Sequence, residues 1–266
     1  MPVVLTIAGS DSGGGAGIQA DLKVFFALGC HGTSALTALT AQSTVGVSAI
    51  HEVPPDFVTA QIDAVTTDLE PRAVKTGMLA SRAIVEAVAA GVERHQLDPL
   101  VVDPVFISKH RAALLDLDAV GALKARLFPL AAVVTPNLYE AGRLVGGEVT
   151  SVDDMKQAAR SLARLGPRAV LVKGGHLPGD RALDVLWDGA SFHEIDGPRF
   201  DTDDTHGTGC VLAAAIAARL AHGDALLDAI RAAKTFVSGA IEHSLRLGNG
   251  FGPVNPGWAL LPSPSS

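Results

Sequence analysis

Short β-branched runs alternate along the chain with longer stretches whose apolar residues recur at helical spacing. The pattern predicts strands at 3–7, 32–39, 47–52, 73–75, 100–103, 132–135 and 169–173, followed by a pair at 182–187 and 191–195. Asp188-Gly189 lies between that last pair and marks it as a hairpin. Helices are expected at 16–28, 56–69, 83–94 behind a Ser81 cap, 119–127, 138–144, 152–165, 208–222 and 226–245. Strands that alternate with helices make a mostly parallel sheet covered on both faces, hence an α/β fold. One domain is expected over 1–247, with a Pro-rich tail over 248–266 whose last residues are expected to be disordered.

Each buried strand ends in polar residues: Ser10-Asp11, Lys75-Thr76-Gly77, Asp103-Pro104, Thr135-Pro136-Asn137 and Lys173-Gly174-Gly175-His176. In an open parallel sheet the ligand crevice lies beyond the carboxyl ends of the strands, so these five ends predict one site. Two glycine clusters add to it. Asp204-Thr205-His206-Gly207-Thr208-Gly209-Cys210 opens an Ala-rich helix, where close backbone approach and free first-turn amides favour an anion; a plain helix-entry turn is the competing reading. Gly13-Gly14-Gly15-Ala16-Gly17 comes after the first strand but lacks the Lys of a Walker loop, and a surface loop would use the same residues. Lys234 falls on the apolar stripe of Leu227, Ile230, Val237 and Ile241, so it faces inward, or snorkels at the margin.

Composition narrows the class. The chain of 266 residues is 48% hydrophobic and 18% charged, with a net charge of −7, which disfavours a nucleic-acid backbone as partner. No stretch is long and apolar enough for a membrane span, and the N-terminus lacks a basic signal-peptide region, so a cytoplasmic protein is expected. Cys30 and Cys210 sit in unrelated contexts and predict no disulfide or metal knuckle; Cys30 reads as a small buried hydrophobe.

Taken together, these segments resemble the ribokinase-like superfamily, and within it the hydroxymethylpyrimidine/phosphomethylpyrimidine kinases of thiamin synthesis. The resemblance is carried in order by Ala8-Gly9-Ser10-Asp11, the glycine loop through Lys23, Thr40-Ala41-Gln42, Lys75-Thr76-Gly77-Met78, Val102-Asp103-Pro104-Val105, Thr135-Pro136-Asn137 with Glu140, Lys173-Gly174-Gly175-His176 and His206-Gly207-Thr208-Gly209-Cys210. It implies a three-layer α/β/α kinase, a pyrimidine substrate, ATP as phosphoryl donor, Mg²⁺ and a homodimer. It further implies that Cys210 takes the place of the Asp base of sugar kinases, with the amides of Gly207, Thr208 and Gly209 and the charge of Lys173 assisting. Gly9, Asp21, Gln42, Met78 and Val105 would contact the substrate. Asp103, Asn137, Lys173, Thr205 and Lys234 would serve the nucleotide, and Glu140 and Asn137 would hold Mg²⁺ through water. A thiol at a helix start is expected to have a depressed pKa. Two departures from the family pattern, Lys109-His110-Arg111 and Asp203-Asp204, fall on loops expected over the nucleotide. A pyridoxal kinase of the same branch is the nearest alternative, followed by a non-catalytic ligand-binding relative; a dehydrogenase is disfavoured because neither glycine cluster has its acidic partner.

Overall fold

The computed structural model describes residues 1–106 and 117–260. The first element, β1 (Val3–Asp11), leads into α1 (Gly17–Ala27) and then β2 (His31–Ser43), which turns back as the antiparallel β3 (Gly46–Glu52). The chain then runs through α2 (Pro55–Leu69), β4 (Ala73–Thr76), α3 (Arg82–His95), β5 (Leu100–Val102) and α4 (Leu117–Ala122). Past β6 (Val133–Val134), α5 (Leu138–Val145), α6 (Val152–Ala163) and β7 (Val170–Lys173) comes the hairpin β8 (Asp184–Trp187) and β9 (Phe192–Ile195). Two long helices, α7 (Thr208–Ala221) and α8 (Leu226–Glu242), complete the body.

Among the described residues these strands form a nine-stranded sheet in the order β3-β2-β1-β4-β5-β6-β7-β8-β9. The six across the middle of that order, β2 through to β7, are parallel, and antiparallel strands close both edges. Side-chain alternation divides the interior into two layers. Leu5, Ile7, Val74, Val102, Val134, Val170 and Val172 pack with α2 to α6 on one face. Val4, Ala73, Val101, Val133, Leu171 and Leu186 meet α1, α7 and α8 on the other. Burial of these strands on both faces is the reason the sequence reads as near-continuous Val-rich runs.

The expected elements are present, with their ends shifted. β1 and β2 run longer than predicted, carrying Ser10, Asp11 and Gln42 out on the strands themselves. The helix expected at 119–127 changes at Leu123 to a π-helical turn, then to a 3₁₀ turn through Pro129, which has no amide to continue the ladder. Ser81 stands at the start of α3, but its hydroxyl makes no capping bond. Beyond the boundary expected at 247, residues 248–260 lie on the body as a strap. Phe251 donates to the Thr44 carbonyl, Asn255 to Ala240 and the Trp258 indole to Phe236. Trp258 also stacks on His243.

A Cβ at Gly239, on α8, would lie 2.4 Å from the Trp258 ring. Ala is the better helix former by about 1 kcal/mol, but a rigid indole cannot yield, and overpacking costs about 1–3 kcal/mol. Gly239→Ala is therefore expected to lower the thermal midpoint, as read by calorimetry; an unchanged or higher midpoint would show that the strap is not held at Trp258.

Candidate active site

Because β1 feeds β2 on one side while β4 pairs on its other side, the strand order reverses at β1, and a crevice opens beyond the carboxyl ends of β1 and β4. The sheet carries a charge there that no apolar core would tolerate alone. Lys75, on β4 and fully buried, places its ammonium 2.8 and 3.0 Å from the two carboxylate oxygens of Asp21 on α1. Thr6 on β1 donates to the same carboxylate at 2.6 Å. Burial works against the charge of both partners; at Lys75 the charges of Asp21, Cys210 and Asp103 and the Asp21 hydrogen bond together outweigh it and raise the pKa, so the lysine stays charged, while at Asp21 burial raises the pKa against the pull of Lys75 and Thr6. Next to it, the Thr76 hydroxyl is buried without a partner among the described residues.

A second pair lies further along the sheet. Lys173, at the end of β7, reaches Asp103 beyond β5 at 2.8 Å, and Thr135 donates to the same Asp103 oxygen at 3.1 Å. Glu140 is buried nearby on α5. Its side chain accepts the Asn137 amide at 2.7 Å while Asn137 accepts the Glu140 amide at 2.9 Å, a reciprocal capping box. Burial pushes the Glu140 carboxyl up to about 7; Lys173 pulls it down and Asp103 pushes it further up.

The Gly207 start of α7 faces both pairs. Gly207 has φ +86°, and a Cβ there would strike the Gly15 carbonyl at 1.9 Å, so the left-handed turn and the contact with the glycine loop both demand glycine. No side chain caps α7, and no acceptor among the described residues takes the amides of Gly209 or Cys210. Positions of the first helical turn left open in this way, at the positive end of the helix dipole, attract an anion. Lys173 Nζ lies 3.3 Å from where a Gly209 Cβ would project.

The Cys210 thiol departs from expectation. Burial raises its pKa to about 11; Lys75 works against the rise, Asp21 and Asp103 add to it, and the Gly17 amide lowers it. The helix start and the nearby lysines do not offset desolvation, so the resting group is a thiol rather than a thiolate.

The other predicted residues fall into place unevenly. Gly9, Met78 and Gln42 line the end of β1: a Cβ at Gly9 would come within 3.0 Å of the Met78 sulfur, and the Thr40 hydroxyl donates to the Ser10 carbonyl at 2.8 Å and lies 3.1 Å from the Gln42 side-chain amide. Gln42 also lines an open cleft of about 420 Å³ with Ser12, Val45 and Val47. Val105 lies just past Asp103 and donates back to its carbonyl. Asp21, expected to touch substrate, is enclosed, its two oxygens occupied by Lys75 and Thr6. Asn137, expected at the metal and nucleotide, has committed its side-chain oxygen to the helix cap, and Asp103 and Glu140 are the carboxylates beside Lys173. Lys234 gives its charge to Asp184 at 2.7 Å, and Asp184 in turn accepts the Gly174 amide, so the lysine braces the Lys173-Gly174 turn from behind. The Thr205 carbonyl accepts the Thr208 hydroxyl at the entry to α7. Asp204 takes up the strap amide of Gly252 at 2.9 Å, which gives that departure a structural task; Lys109, His110 and Arg111 lie outside the described residues.

Sequence reasoning gives Lys75 and Asp11 no role beyond their place at strand ends, and it misses Thr6. The signal for Lys75 is available: a lysine inside a strand buried on both faces requires a buried partner. No local pattern points to the meeting of Asp11 and His206, whose side chains lie 2.9 Å apart across 195 residues.

An open α/β sheet that gathers free helix amides, one buried and one half-buried lysine and paired carboxylates at its switch point is the equipment of a small-molecule phosphotransferase. The chain belongs to the phosphomethylpyrimidine kinase family, which it matches over residues 11–255. It is 52% identical over 262 residues to the hydroxymethylpyrimidine/phosphomethylpyrimidine kinase of Streptomyces coelicolor, covering 97% of this chain and 96% of that one. It is 54% identical to the thiamine biosynthesis bifunctional protein of Geobacter sulfurreducens, of which it spans about half, 51%, while 95% of this chain is covered. Among solved structures, the ADP complex of Bacillus subtilis pyridoxal kinase superposes with a TM-score of 0.92 at 39% identity, covering 98% of this chain and 100% of that one. The phosphomethylpyrimidine kinase of Clostridium difficile superposes at 0.81 with 42% identity, covering 91% of this chain and 100% of that one. The three-layer ribokinase-like fold expected from the resemblance is thereby established.

Removing one member of a buried ion pair strands the other and costs about 3–5 kcal/mol, whereas replacing both is close to neutral. Lys75→Met should lose stability of that order in urea denaturation, and the double variant Lys75→Met/Asp21→Asn should recover most of it. Equal losses in the single and double variants would show that the pair is not what binds α1 to β4.

Proposed function

We propose that this protein transfers the γ-phosphoryl group of ATP to the hydroxymethyl oxygen of 4-amino-5-hydroxymethyl-2-methylpyrimidine, and then a second one to the monophosphate so formed. The observation that carries the reading is the pair of free amides at Gly209 and Cys210, facing Lys173 at the strand ends. Phosphoryl transfer needs little covalent help beyond alignment and donors for the charge spread over the equatorial oxygens. The amides of Gly209 and Cys210 supply those donors, the Thr208 amide being given to the Thr205 carbonyl at 3.3 Å, and Lys173 offsets part of the charge. Gly9, Gln42, Met78 and Val105 form the slot for the flat ring, with Asp21 holding Lys75 beneath it.

In the first step the alcohol proton passes to the sulfur of ionised Cys210 as the O–P bond forms and the bond to ADP breaks. In the second the attacking oxygen belongs to a phosphate whose second pKa is about 6, so at neutral pH it carries no proton to remove. Cys210→Ala should therefore cut the first step by about 10²-fold or more and the second by less than about tenfold. Since the thiol titrates near 11 and only its ionised form accepts a proton, the first-step rate should climb from about pH 7 towards pH 10. Rapid-quench assays of each step across that range check both expectations; a flat profile, or equal losses in the two steps, would remove Cys210 as the base.

Among the described residues no three His, Cys, Asp or Glu side chains could cage a metal. Asp103 and Glu140 provide hard carboxylate oxygens beside Lys173, a set suited to Mg²⁺ that keeps its waters and is held chiefly by phosphates. When bound with ATP, Mg²⁺ offsets charge on the transferring group. The reading also makes the protein a cytoplasmic homodimer. Leu39, Val45, Ile50 and Phe57, all exposed on and around the outer hairpin, offer apolar surface for the second copy to cover.

The close superposition on a pyridoxal kinase favours a second reading, since pyridoxal is also a flat ring bearing a hydroxymethyl group. Initial rates on the two rings under saturating Mg-ATP separate them: the pyrimidine is expected to be the better substrate, and a marked preference for pyridoxal would overturn the assignment.

A further inference from the structure

His206 has no part in the mechanism above, yet it is buried where three segments of the site meet. Its Nε2 lies 2.9 Å from Asp11 Oδ2. A ring nitrogen that close to a carboxylate carries the hydrogen. Asp11 is itself fixed, accepting the amides of Gly13, Gly15 and Ala16 at 2.8, 3.1 and 2.9 Å. Burial would raise its pKa, but the His206 and amide hydrogen bonds outweigh that and keep the carboxyl below its usual range. The imidazole lies hard against the glycine loop: a Cβ at Gly15 would come within 2.4 Å of His206 Cδ2.

The same Nε2 is 3.3 Å from one end of the Gln42 amide, whose other end is 3.1 Å from the Thr40 hydroxyl. Having given its hydrogen to Asp11, this nitrogen meets the amide only as a donor, and the single hydrogen of the Thr40 hydroxyl is spent on the Ser10 carbonyl at 2.8 Å. The amide therefore turns its oxygen to the His206 N–H and its nitrogen to Thr40 Oγ1, which accepts one of its two hydrogens. It is thus held between Thr40 and His206 with one amide hydrogen uncommitted. His206 is in turn gripped by the strap, its amide donating to Gly252 and its carbonyl accepting from Val254, both at 3.1 Å. The strap also reaches Thr44, two residues past Gln42, through Phe251 and Gly250.

We propose that His206 is a positioning residue for ring selection: anchored by Asp11 and the strap, it holds Gln42 so that the donor edge of the amide is presented to a hydrogen-bond acceptor on the substrate ring. The proposal rests on the reading of Gln42 as a ring contact. It names as the recognised chemistry an unprotonated ring nitrogen or an equivalent acceptor, and it assigns the strap a part in binding.

Isothermal titration with the hydroxymethylpyrimidine, with pyridoxal and with a non-hydrolysable ATP analogue tests it on the wild-type protein and on His206→Leu, His206→Gln and Asp11→Asn. His206→Leu should weaken ring binding about tenfold, the scale of one hydrogen bond's worth of ordering, with the nucleotide analogue unchanged within about twofold. His206→Gln, whose amide can still donate to Asp11, should restore most of the ring affinity. Asp11→Asn should weaken the ring severalfold and carries the test if the Leu variant fails to fold. Wild-type ring affinity in both His206→Leu and Asp11→Asn, or equal weakening of ring and nucleotide, overturns the proposal and leaves the kinase reading intact. Binding of pyridoxal in place of the pyrimidine overturns the substrate assignment, and the His206 comparison is then read on pyridoxal with the same expected values. Failure of the wild-type protein to bind either ring overturns both.

Discussion

The buried contact between Lys75 and Asp21 is the constraint from which the rest of the site derives its geometry. It ties α1 to β4 across the point where strand order reverses, and it does so where neither partner can be hydrated. A charge pair so enclosed has one stable geometry, because any displacement exposes each ion to an apolar surround. Both elements next to the crevice are thereby held in register, and α7, which packs over the same strands, brings its uncapped first turn to a fixed place above them.

That rigidity shapes the electrostatics. The carboxyl groups of Asp21, Asp103 and Glu140 outnumber the ammonium groups of Lys75 and Lys173. The amides of α7 are what tip the balance towards an anion. Burial is the main reason Cys210 rests as a thiol and the Glu140 carboxyl is pushed up to about 7, and the neighbouring carboxylates add to both, since the cations are already engaged. An incoming anion therefore meets a site whose protonation can adjust, rather than one fully charged in advance.

Much of this architecture is legible in the sequence because strands and amphipathic helices write themselves locally, at periods of about two and 3.6 residues. The five polar strand ends can be read for the same reason: their placement is a matter of topology once the sheet is taken as parallel. Contacts between distant residues cannot. Asp11 and His206, Asp184 and Lys234, and Asp204 with the strap each join segments with no shared periodicity, and the helix entry at Gly207 suggests a low pKa for a thiol whose burial decides otherwise. Composition alone gives no hint of the strap, since prolines and glycines read as looseness in a sequence where here they allow close docking onto Thr44 and α8.

The strap's attachment to His206 also has a consequence in time. The backbone partners of His206 are Gly252 and Val254, while its side-chain partner Asp11 lies 195 residues before it in the chain. A ribosome delivers β1 and its glycine loop long before it releases Gly252 and Val254, and in the interval the loop has its local bonds to Asp11 and Lys23 but not the His206 contact. Binding competence must therefore arrive late in biosynthesis, as a step that follows the formation of the core.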